Sequence, residues 1–222
     1  MFNDLLQIAI QYMPRLLHGA LETIRITLIG VSLGFVLGAL VGIFRAYRVP
    51  FAHSIARFYV YIIRGTPLLV QIFFIFFGIP NIIHHPIDPM VAGISAIAIN
   101  SGAYFGEIIR GALQSIATGQ IEASRSLGLN WVQTIRFVIG PQALLVALPS
   151  LGNQFIISLK DTSLLAVISV EELTRNGQII IAATFRAFQI WILVALIYLV
   201  LTGVSAAFLD RLEVRMSRFR GT

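Results

Sequence analysis

The chain has 222 residues, 57% of them hydrophobic and 12% charged, with a mean hydropathy of +0.86 and a formal charge of +6. A soluble domain must clothe its core in polar surface, and this composition cannot supply one, so a water-soluble fold is excluded. The chain has no cysteine, which excludes disulfides and thiolate metal sites.

No basic run precedes an apolar stretch at the amino terminus, which carries Asp4, so no cleavable signal peptide is expected. Phe2, Leu5, Leu6, Ala9, Ile10 and Met13 recur at helical spacing, which predicts an interfacial amino-terminal segment over residues 1–18. Five runs then lack Asp, Glu, Lys and Arg: Ile26 to Phe44, Gly65 to Ile87, Pro89 to Gly106, Phe137 to Leu159 and Ala187 to Leu209. Each approaches or exceeds the roughly 20 residues that a helix needs to cross a hydrocarbon core about 30 Å thick. Continuous apolar runs lack the alternation of a closed barrel, and hydrocarbon offers no partner to a bare peptide group. The expected fold is therefore an all-α integral membrane protein with five transmembrane helices, forming one domain over residues 1–222.

Orientation follows from the cations. Eleven of the sixteen fall on one side of these spans: Arg45, Arg48, Arg57 and Arg64, then Arg110, Arg125 and Arg136, then Arg211, Arg215, Arg218 and Arg220. The richer side stays in the cytoplasm, placing the amino terminus outside and the carboxyl terminus inside. The positive charge is then a topology signal and requires no nucleic-acid partner.

In the first span Gly30, Gly34, Gly38 and Gly42 form a row on one helix face, suited to close packing against a neighbouring helix or a second copy. In the second, Pro67 within Arg64-Gly65-Thr66-Pro67 removes a helical hydrogen bond and predicts a kink near the cytoplasmic end. His84 and His85 with Asp88 make too thin a ligand set for a metal, so no metal site is expected. Glu107 and Arg110, three residues apart at the end of the third run, can pair across one helix face. The fourth run holds Pro141, Pro149 and Gly152, then Asn153, Gln154 and Ser158, and ends in Lys160-Asp161-Thr162-Ser163. A span so interrupted is tolerated where it faces protein or a water-filled path.

Between the third and fourth spans the stretch from Glu107 to Arg136 is far longer than a turn needs. Leu127, Trp131 and Ile135 recur every four residues, and Gly128 is placed to divide the stretch into two short helices. Such a segment either rests on lipid or projects as a knob for a soluble partner.

The order Glu122-Ala123-Ser124, three residues, Gly128, nine residues, Val138-Ile139-Gly140-Pro141 resembles the Glu-Ala-Ala coupling motif of ATP-binding-cassette importer permeases. Arg64-Gly65-Thr66-Pro67, Ser101-Gly102-Ala103-Tyr104, Glu107-Ile108-Ile109-Arg110-Gly111 and Lys160-Asp161-Thr162-Ser163-Leu164 are similar to the polar amino acid uptake branch of that family. Two departures are Ser124 in place of the second alanine and Gly140 where leucine is usual, the latter expected to loosen the packing after the second coupling helix.

The resemblance implies a non-catalytic permease subunit of a bacterial inner (cell) membrane importer, paired with a second permease subunit, two cytoplasmic ATPase subunits and an extracytoplasmic solute-binding protein. It assigns ATPase coupling to a cytoplasmic region over residues 119–137, with Glu122, Ala123, Ser124, Gly128 and Pro141. ATP and magnesium would sit on the partner ATPase. In keeping with that, the chain has no phosphate-binding glycine loop, and its single lysine is Lys160.

For an amino acid substrate, Asn100, Tyr104, Glu107, Asp161, Thr162 and Ser163 are the candidate binding residues. Glu107 or Asp161 would meet the cationic group, and Thr162 and Ser163 would serve the carboxylate. Two acids in one cavity would favour a basic amino acid. The competing reading is an ion-coupled secondary carrier or channel, supported by the same two acids.

Overall fold

The computed structural model describes residues 2–217, with side chains for residues 7–216. Phe2, Leu5 and Leu6 of the amino-terminal pattern, and Arg218 and Arg220 of the cation count, lie outside those described side chains. Every described element is helical. In chain order they are α1 (Phe2–Ala46), α2 (Ala52–Gly65), α3 (Leu68–Phe73), a π-helical turn (Phe74–Gly78), α4 (Ile79–Ile83), α5 (Pro89–Gln114), α6 (Thr118–Ser126), α7 (Trp131–Thr134), a second π-helical turn (Ile135–Ile139), α8 (Gly140–Asp161), a 3-10 turn (Thr162–Ile168), α9 (Leu173–Thr184) and α10 (Ala187–Ser217). Among the described residues three stretches are long and apolar enough to cross a membrane: Gln7–Ala46, Trp131–Ile168 and Ala187–Met216. The pair Ala52–Gly65 and Leu68–Ile83, bent by 107°, makes a fourth if it is one span.

Within the segment expected over residues 1–18, no break separates the described residues 2–18 from the first span. Helix α1 runs for 45 residues, roughly 68 Å at 1.5 Å per residue, and its early residues Ile8 and Leu16 are buried with Leu173, Ile180, Ile190 and Leu193 of α9 and α10. An apolar stripe that finds protein to cover it has no need of the lipid interface.

The glycine row of α1 is spent inside the chain. A Cβ at Gly34 would lie 2.1 Å from Ser101 Oγ and 2.9 Å from the Ala98 carbonyl, and one at Gly38 would lie 2.5 Å from the Phe105 Cβ. Gly30 and Gly42 meet Ile97 and Ile109 in the same way, so the row is the seat of α5. Helix α5 returns the arrangement: a Cβ at Gly106 would lie 2.6 Å from Val41 Cγ1. Small residues on both faces let the two backbones approach within van der Waals contact along several turns. Buried at the centre of the bundle, α5 presents Asn100 and Ser101 to protein rather than to lipid.

The region expected as a loop between Arg45 and Arg64 contains a helix. Helix α2 buries Ala56 and Val60 against Val41 and Ala103, and leaves Ile55, Phe58 and Tyr61 exposed. Its Tyr59 hydroxyl donates to the Ile99 carbonyl at 2.5 Å, tying α2 to α5. The kink expected at Pro67 is larger than a kink: the chain turns through 107° between α2 and α3. Pro67 has no N–H for the Ile63 carbonyl four residues earlier. The Gln71 amide supplies the missing donor, at 2.8 Å from Ile63 O and 3.1 Å from Thr66 O.

The two π-helical turns share a cause. Each ends one residue before a helix whose second residue is proline, Pro80 in α4 and Pro141 in α8. The N–H of Ile79 bonds Phe74 O and that of Gly140 bonds Ile135 O, five residues back in both cases. The wider turn accommodates a proline that can neither donate nor tolerate the usual carbonyl beneath its ring.

Candidate functional site

The bend at Pro67 opens a cavity of ≈490 Å³ bordered by Arg64, Thr66, Asn100, Tyr104, Gln154 and Asp161, with Gly65, Pro67, Leu68 and Ile157 completing the wall. Three of the six residues expected to bind substrate, Asn100, Tyr104 and Asp161, are therefore brought together. Asn100 donates to Gln71 Oε1 at 3.0 Å, so the amide that repairs the bend also orients a cavity residue. The Arg64 guanidinium lies over the Tyr104 ring, 5.2 Å from its centroid. Gln154, from α8, is buried with its amide 3.4 Å from Ser158 Oγ.

Thr162 and Ser163 are not on this wall. Thr162 is fully buried in the 3-10 turn and its hydroxyl donates to the Leu159 carbonyl at 2.7 Å. A short hydroxyl at a helix end satisfies its own backbone more readily than it reaches a ligand. Glu107 sits beside the cavity in an ion cluster. Its Oε1 accepts from Arg110, with Nε at 3.0 Å, its Oε2 pairs with Arg45 of α1, and Arg64 Nη1 stands 4.0 Å from Oε2. The local Glu107–Arg110 pair was legible at its three-residue spacing; Arg45, 62 positions away, carried no signal. Arg64, Gln71 and Gln154 were also not singled out as binding candidates: Arg64 was counted as a topology charge, Gln71 is a lone polar residue in an apolar run, and Gln154 was read only as part of the interrupted fourth span.

The Glu107-to-Arg136 stretch forms an elbow. Helix α6 ends where Gly128 takes a left-handed φ of +83°, with the Leu129 N–H on Ser124 O at 3.2 Å and the Gly128 N–H on Arg125 O at 3.0 Å. This paired closure satisfies the last carbonyls of the helix and requires a residue without a Cβ. Asn130 then caps α7, its side chain accepting from the Gln133 N–H at 2.9 Å while Gln133 returns the bond. The turn leaves Leu127 as the cap residue beyond α6 and puts Trp131 at the start of α7, so the expected single apolar face of Leu127, Trp131 and Ile135 does not form.

Of the residues expected to couple to an ATPase, Glu122, Ala123, Gly128 and Pro141 are exposed, and Ser124 is buried. Ser124 Oγ lies 3.1 Å from Thr134 Oγ1, fastening α6 to the last residue of α7, a contact an alanine would not make. The Trp131 ring meets the edge of Tyr47, 5.8 Å between centroids, and burial pushes the Tyr47 hydroxyl above its ordinary pKa. Gly140, expected to loosen the packing, is instead matched to its place: a Cβ there would lie 2.8 Å from the Ile135 carbonyl that the π-helical turn brings in. In the loop before α5, Asp88 is spent on the helix cap, accepting from the N–H groups of Met90 and Val91. Among the described residues no group of three or more His, Asp or Glu is placed to hold a metal.

Residues 26–218 match the family model described as "Binding-protein-dependent transport system inner membrane component". The chain is 50% identical over 204 residues to the glutamine transport system permease protein of Escherichia coli (strain K12), covering 91% of this chain and 93% of that one. It is 33% identical over 224 residues to the L-cystine transport system permease protein of Bacillus subtilis (strain 168), with 98% and 91% covered. Among solved structures, a chain from "Crystal structure of an amino acid ABC transporter with histidines" superposes with a TM-score of 0.86 at 38% identity, covering 93% of this chain and 96% of that one.

Proposed function

Because this chain belongs to the family of binding-protein-dependent transport system inner membrane components, we propose that it forms part of the substrate path of an ATP-driven importer and holds a polar amino acid at the bend between α2 and α3. It is a permease subunit of an amino acid importer and does no catalysis itself; ATP hydrolysis belongs to a separate subunit. The path crosses the bacterial cell membrane on five spans, with α1 entering from outside and α10 ending in the cytoplasm. The elbow around Gly128 docks on the ATPase, which carries the ATP and magnesium. A second permease subunit and an extracytoplasmic solute-binding protein complete the assembly.

The observation that carries the ligand reading is the cavity wall, where one guanidinium (Arg64) and one carboxylate (Asp161) stand among amide side chains (Asn100 and Gln154). Asp161 receives the ammonium of a zwitterion, Arg64 its carboxylate, and the amides an uncharged polar side chain. Charge pairs of this kind are needed at a depth where isolated ions are costly. A basic substrate, expected were both acids free, is less well supported, because Glu107 already has two arginines. Glutamine is the first choice among neutral polar ligands, in line with the name of the relative that shares half of its residues with this chain.

The test is ATP-dependent uptake of labelled glutamine by the full assembly in liposomes. Arg64→Gln and Asp161→Asn should each lower the rate about tenfold or more, the usual consequence of losing one charge-assisted hydrogen bond. Wild-type rates from both variants, in assemblies of unchanged composition, would overturn the reading.

A further inference from the structure

A second hollow of ≈530 Å³ adjoins the first, lined by Arg45, Arg57, Val60, Tyr61 and Glu107, with Arg64, Gly65 and Tyr104 bordering both. Glu107 thus faces the space that reaches the ligand cavity, and its side chain keeps 25% of its accessible surface. Left to itself, this carboxylate would join Asp161 as a second negative charge around one ligand. Two acids attract a cationic side chain; one acid balanced by one guanidinium suits a zwitterion.

Arg110 pairs with Glu107 through local helix spacing, as any such neighbours do. Arg45 is different, because it reaches across from α1 to take the remaining oxygen, and it pays in folding terms: its buried Nε finds no acceptor among the described residues. A guanidinium with an unpaired buried donor is a poor choice for packing alone. We propose that Arg45 is a specificity-determining residue, which by engaging Glu107 turns a hollow suited to cationic amino acids into one that favours a neutral, amide-bearing zwitterion. The inference rests on the amino acid cavity described above and adds a residue that does not touch the ligand there.

The experiment measures equilibrium binding of labelled glutamine and labelled arginine to the purified permease and ATPase assembly, without binding protein, so that the selectivity read is that of the permease. Arg45→Met should raise the ratio of arginine to glutamine bound about tenfold or more, as expected for deleting one cation that faces the hollow and offsets Glu107. Arg45→Lys should leave the ratio near wild type, and the double variant Arg45→Met, Glu107→Gln should return it there. An unchanged ratio in an intact Arg45→Met assembly overturns the proposal. Should that variant not assemble, Glu107→Gln alone decides: arginine binding must fall relative to glutamine, and a gain overturns the idea. A wild-type assembly that binds neither amino acid would instead strike at the cavity reading; one that binds arginine better than glutamine would refute only the role of Arg45.

Discussion

Gln71 shows how much one side chain organises. Its amide donates to the two carbonyls exposed by the break at Pro67, and its oxygen accepts from Asn100, so a single group closes the bend and sets a cavity residue. Gln71→Leu keeps the volume and deletes all of these bonds. Leaving buried acceptors unpaired should cost roughly 2–4 kcal/mol, read as a lower midpoint of thermal unfolding in detergent at fixed scan rate. A midpoint equal to that of wild type would mean that the bend is held by packing alone. The contacts of Gln71 and Arg45 were not legible from the chain order, because hydrogen bonds to a proline's lost partner and ion pairs between α1 and α5 exist only after folding. Glu107 and Asp161 stood out as acids in apolar surroundings, yet only the fold shows that Arg45 joins Arg110 on the first and that the second faces the cavity.

At the scale of elements, prolines and glycines were the most readable residues, since their effects are local. Pro67 marked the break, Gly128 the division of the elbow, and the four-residue glycine row a close helix contact. Helix α2 was missed because its cations were counted as loop charge, while its buried stripe of Ala56 and Val60 is narrow and small. The early residues of α1 were separated from the span because an amphipathic pattern cannot distinguish lipid from the flank of α9. Gly128→Leu tests the elbow directly. A left-handed φ costs a branched or bulky residue roughly 1–2 kcal/mol, too little to prevent insertion but enough to reshape the knob. ATP hydrolysis should continue while uptake per ATP falls, measured side by side in liposomes. Uptake per ATP equal to wild type would remove the elbow from the coupling path.

For the whole molecule, the orientation proposed from the cations can be checked with unusual economy, since the chain has no native cysteine. Phe185 at the end of α9 is 90% exposed and Leu127 at the elbow is 83% exposed. Introduced singly, Phe185→Cys should react with a membrane-impermeant maleimide added to intact spheroplasts, whereas Leu127→Cys should react only after permeabilisation. The opposite pattern would invert the protein and place the elbow on the wrong side for an ATPase. A count of five spans needs both the bent α2–α3 pair and α5, which lies outside the three long apolar stretches and is buried deeply enough that its Asn100 and Ser101 meet protein.

From Trp131 to Ile168 the backbone stays helical without a gap, passing through both a π-helical and a 3-10 turn. The elbow's second helix and the cavity residues Gln154 and Asp161 therefore lie along one continuous helical run. On the proposed docking of the elbow against the ATPase, a push at Trp131 would reach the cavity wall through continuous helix rather than through a loop.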